Sequence, residues 1–154
     1  MRTKRGFTLI ELVVVISIIL ILLGFITISL ARSQQTASLT SVGEILSADL
    51  KQQQLKSMVG DTEGRETTDA YGVHFDSNRY VLFHGTYSSL ETSNFNIDLD
   101  DNMQFNSPGY EVIFAKKSGE ITGPVTIELQ DNTNSKIRKI YLNVLGVVTQ
   151  VESL

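Results

Sequence analysis

Hydrophobic positions fall into three regimes along the chain. From Phe7 to Ala31 nearly every residue is apolar, and the twenty residues 12–31 carry no charge. As a helix those twenty would span about 30 Å, the depth of a bilayer's hydrocarbon core. A helix that is apolar on every face does not suit the surface of a water-soluble domain. Residues 7–31 are therefore expected to form a transmembrane helix. Past Arg32 the pattern turns periodic: Leu39, Val42, Leu46 and Leu50 recur three or four apart, with Ile45 beside them and polar residues between. That spacing predicts that the helix continues over 32–59 as an amphipathic half. Gly60-Asp61 is its expected stop.

Residues 60–69 (GDTEGRETTD) are charged and poor in apolar groups, as a loop is. After them the period shortens to two. Tyr71–Phe75 and Arg79–His84 flank a tight turn at 76–78, and Phe95–Leu99 alternates strictly. Tyr110–Ala115, Val125–Leu129, Lys136–Val144 and Val147–Val151 complete six or seven short strands. Hairpin spacing predicts antiparallel pairing. A sheet must cover its apolar face, and the amphipathic half-helix is the only long candidate. The expected class is α+β: a long N-terminal helix packed on an antiparallel β-rich C-terminal head, residues 60–154.

Charge and composition narrow the functional classes. The 154 residues carry 13 basic and 17 acidic side chains, net −4. An acidic chain is a poor start for a protein that binds nucleic acid or anionic lipid. There is no cysteine, which excludes disulfide frameworks, thiolate metal sites and cysteine nucleophiles. The basic residues Arg2, Lys4 and Arg5 precede the apolar segment, and only Arg32 closely follows it. The positive-inside rule then places the N-terminus in the cytoplasm and the head outside. Ser29-Leu30-Ala31 would serve as a secretory cleavage site, but secretory apolar cores run only about 7–15 residues. Neither that reading nor a plain single-pass anchor accounts for Glu11, whose carboxylate costs about 2.5–3.5 kcal/mol at membrane depth.

The segment Lys4-Arg5-Gly6-Phe7-Thr8-Leu9-Ile10-Glu11 resembles the processing site of type IV pilins and type II secretion pseudopilins. The resemblance implies that residues 1–6 are a leader removed by a prepilin peptidase after Gly6. The same enzyme would methylate the new N-terminal Phe7. Glu11, fifth in the mature chain, would serve assembly. The implied fold is the pilin ladle. The segment lacks the helix-kinking Pro common in major pilins. Implied partners are the peptidase, other pilin or pseudopilin subunits, the inner-membrane assembly platform and, before assembly, membrane lipid. The chain is then expected in the cytoplasmic membrane and afterwards in a pilus or pseudopilus filament. Across about residues 30–150, the paired strands YGVHF and RYVLF and the late Ile140–Val147 pattern look like the GspH/FimT-type minor pilins and pseudopilins.

Other chemistry finds little support. His74 and His84, with Asp76 nearby, are expected to be strand-face residues rather than metal ligands. Asp98-x-Asp100-x-Asn102 opens like a calcium loop, but Met103 stands where the loop needs Gly, and Gly109 where it needs Glu. No cofactor, metal or catalytic residue is expected. Some FimT-like pilins bind DNA through a C-terminal Gly-Arg-x-Arg. The corresponding residues are Gly146-Val147-Val148-Thr149, without either arginine. Lys116, Lys117, Lys136, Arg138 and Lys139 remain as small basic clusters, and DNA is not expected as a partner.

Overall fold

The computed structural model describes residues 9–154, with side chains described for 9–23 and 38–154. It is α+β. One helix, α1, runs Leu9–Val59, and eight strands follow: β1 (Tyr71–Phe75), β2 (Arg79–His84), β3 (Phe95–Asp98), β4 (Met103–Phe105), β5 (Tyr110–Phe114), β6 (Val125–Asp131), β7 (Lys136–Leu142) and β8 (Val148–Ser153). The chain divides into two units, Met1–Ser38 and Leu39–Leu154. In the first, the described side chains Leu9–Leu23 are all exposed.

In the second unit, α1 ends as its sequence predicts. Gly60 takes φ 69°, a left-handed conformation that costs glycine little. The amide of Asp61 reaches back to the carbonyl of Lys56 at 3.0 Å and closes the last turn. Leu39, Leu46 and Leu50 are buried, and Val42 packs against them from the margin. Ile45 does not join them; it is 51% exposed. At about 100° per residue it falls on the flank of the helix rather than on the buried face. The buried stripe continues through polar residues instead. Gln53 and Ser57 are both buried, and the Ser57 hydroxyl bonds the carbonyls of Phe114 (2.8 Å) and Ala115 (2.7 Å).

The strands form two four-stranded sheets, ordered β3-β2-β1-β5 and β4-β6-β7-β8, and every pairing is antiparallel. The chain leaves the first sheet after β3, adds β4 to the second, and returns as β5 beside β1. After β5 it crosses to the second sheet again and remains there for the meander β6-β7-β8. Both sheets contribute to one core with the leucines of α1. Phe75 of β1 meets Phe105 of β4 edge-on at 5.0 Å and stacks on Tyr110 of β5 at 4.8 Å. The strand β4 is additional to the six or seven expected. Its three residues are too short for alternation to stand out, yet Met103 and Phe105 are both buried.

Candidate processing and assembly site

Gly6 and Phe7, the expected cleavage and methylation positions, and the basic leader residues Arg2, Lys4 and Arg5 lie outside the described residues. So do Thr8 and the side chains of 24–31 in the expected span. Among the described residues, no helix is long and apolar enough to cross a membrane. What is described of the site is Leu9–Leu23. Glu11 stands in the first turn of α1. A carboxylate there complements the positive end of the helix dipole. Around it, Leu9 is 81% and Ile10 72% exposed. All thirteen aliphatic side chains from Leu9 to Leu23 are among the exposed large hydrophobics. Ser17 adds no free donor to this surface, because its hydroxyl bonds the Val13 carbonyl at 2.8 Å. Covering each such aliphatic chain is worth about 1.5–3 kcal/mol. A surface of this size therefore calls for lipid or protein against it.

In the second unit, the groups considered for other chemistry are dispersed. The two nitrogens of His74 face different carboxylates, Glu111 at 3.2 Å and Asp76 at 3.3 Å. They thus point away from any common centre. The ring also stacks on Tyr87 at 3.8 Å. Arg79 donates to Asp76 at 2.6 Å and holds its carboxyl below the usual range. His84 lies 3.9 Å from Asp69. The Asp98–Asn102 stretch connects β3 to β4, and Asn102 donates to the buried Asp131 at 3.2 Å. Met103, at the calcium loop's Gly position, begins a core strand.

The basic cluster of β7 divides between the two faces of its sheet. Lys139 pairs with Glu128 on β6 at 2.6 Å and depresses that carboxyl. Arg138 lies opposite the buried Leu129 and so points inward. It donates to Thr40 on α1 (3.4 Å) and to Ser153 (3.2 Å), and its Cδ would stand 2.6 Å from a Cβ at Gly43. Glycine at 43 leaves room for that arginine. Gly146 is wedged under Gln54 of α1, whose amide donates to the carbonyls of Leu145 (2.6 Å) and Gly119 (3.1 Å). On one flank of α1, Gln52, Lys56, Tyr71, His84 and Phe95 line a groove of about 320 Å³. Lys56 bonds Glu63 there at 2.6 Å and lowers its carboxyl.

Comparison with known proteins bears on the N-terminus alone. Residues 1–27 match the family model described as the prokaryotic N-terminal methylation motif. No curated protein and no solved structure matches the chain. The motif implies a substrate of the prepilin peptidase, a processed subunit of pilin or pseudopilin type that associates with membrane and assembles with other pilins.

Proposed function

We propose that the chain is a minor pilin or pseudopilin, nearest to the GspH/FimT type, that is cut after Gly6, methylated on Phe7 and built into a type IV pilus or type II secretion pseudopilus. Its role is structural and non-catalytic. The observation that carries this reading is the methylation motif at residues 1–27 running into an exposed aliphatic helix with Glu11 as its one charge before Leu23. Lipid covers that helix before assembly, and neighbouring subunits cover it afterwards. The inner-membrane assembly platform transfers the subunit from one to the other. DNA ranks below protein as a partner: the mature chain holds 10 basic against 17 acidic residues, net −7. Two of its β7 cations are also committed to Glu128 and to α1.

Intact mass of the membrane-extracted protein tests the reading. The expected product lacks Met1–Gly6 and carries one added methyl group. A mature N-terminus at Arg32 would establish an ordinary secretory signal and end the pilin proposal.

A further inference from the structure

Two features of the second unit lie apart from the processing site. The first is an apolar cleft of about 440 Å³ between α1 and the start of β8, lined by Ser47, Ala48, Lys51, Gln54, Val147 and Val148. Val147 is 47% exposed, and Lys51 has no ion-pair partner among the described residues. The second is the tip of the β2–β3 loop, where Leu90 is 90% exposed. Four hydrogen bonds hold that tip in one conformation. Asn94 Nδ2 donates to the Ser88 carbonyl (2.7 Å) and the Glu91 amide to the same carbonyl (3.1 Å). The Asn94 amide reaches the Glu91 carbonyl (3.4 Å), and the Leu90 amide reaches Ser88 Oγ (3.4 Å). Leu90 is thus presented in advance rather than ordered on contact, which lowers the cost of seating it. Beside it, the Glu91 carboxylate is exposed and has no cationic partner among the described residues.

We propose that the Leu90–Glu91 tip of one copy seats in the cleft of a second copy, with Leu90 against Val147 and Val148 and Glu91 beside Lys51. The inference rests on the proposed role as an assembling subunit. An aliphatic knob with one negative charge matches an aliphatic cleft with one positive charge. Both halves of the match belong to this chain, so the occupant is a second copy. The halves also lie on different sides of α1. The cleft uses the helix face of Ser47, Lys51 and Gln54, whereas β2 and β3, which the tip joins, border the groove on the face of Gln52 and Lys56. A copy that gives its tip therefore keeps its cleft free. The contact is heterologous and repeats along a line instead of closing into a dimer.

The absence of cysteine makes the test clean. Leu90→Cys and Val147→Cys, combined in the full chain and oxidised in membranes and in sheared filaments, should give a ladder of disulfide-linked species at integer multiples of the chain's own mass. Each single variant should give no ladder. Lys51→Glu and Glu91→Lys are surface changes that leave the core intact. Each should lower the ladder yield about two- to fivefold, and the two together should restore it. Monomer alone, or adducts only to a different subunit, would overturn the proposal. Leader removal is read by mass in the same samples. Processed protein without a ladder overturns the contact and leaves the subunit role standing. Unprocessed protein overturns the role, and the ladder in membranes still decides the contact.

Discussion

Gly85 and Gly146 have nearly the same backbone, φ 72° and 73°, in different surroundings. A Cβ at Gly85 would meet nothing within 4 Å. At Gly146 it would stand 2.5 Å from the Gly119 carbonyl and 2.8 Å from Gln54 Nε2, and neither can yield without breaking the bond that Gln54 makes to that loop. Gly85→Ala should therefore cost only the left-handed penalty, about 1–2 kcal/mol. Gly146→Ala adds overpacking and should cost roughly 1–3 kcal/mol more. Melting temperatures of the two full-chain variants in detergent would check this, and equal losses would show that the close approach is relieved freely. In the sequence each glycine directly follows or precedes a strand segment. That placement does not distinguish them, because the partner that crowds Gly146 is a helical glutamine that bonds the neighbouring Leu145 from 91 positions away.

At the scale of elements, Leu46 and Ile45 make the sharper comparison. Both belong to the apolar spacing of α1, but Leu46 is fully buried and Ile45 is half in water. Leu46→Ala should cost about 2–5 kcal/mol, whereas Ile45→Ala should stay within about 0.5 kcal/mol. The same melting measurement decides, and a large loss at Ile45 would mean that its flank is covered in the folded unit. This pair also shows how far periodicity reads. A 3.6-residue repeat locates the buried face to within a residue on either side, and Ile45 sits at that margin. Alternation likewise located seven of the eight strands. It missed β4, whose three residues hold too few alternations to register. The strict alternation over Phe95–Leu99 does locate β3, yet its first apolar residue, Phe95, is 65% exposed. Strand β3 is the outer edge of its sheet, where Phe95 lies opposite Leu82 beside the open groove. The division into two sheets was not legible at all, since β5 returns to β1 across an intervening strand of the other sheet. The processing motif was legible because its residues are consecutive and need no tertiary contact to be recognised.

At the scale of the molecule, the two units meet different demands. Leu39–Leu154 buries its own core, whereas the aliphatic surface of Leu9–Leu23 has to be covered by something outside it. That separation makes Glu11 testable without disturbing the fold. On the proposed role, cleavage leaves Phe7 with a free amino group, positive at neutral pH. The resemblance to pilins implies that in a filament the Glu11 carboxylate of one subunit meets the Phe7 amine of its neighbour within apolar surroundings. Removing one member of such a buried pair strands the other charge and typically costs about 3–5 kcal/mol. In the membrane the same change works in the opposite direction, because a carboxylate at depth opposes insertion by about 2.5–3.5 kcal/mol. Glu11→Val is therefore expected to insert and be cleaved as the parent is, with an unchanged melting temperature for the second unit. Its incorporation into sheared filaments should fall by at least about a hundredfold, the factor that 3 kcal/mol implies. Subunit counts in filaments, normalised to processed protein in the membrane, measure this. Parental incorporation of the valine variant would show that Glu11 sets no register and stands solvated at the headgroups instead.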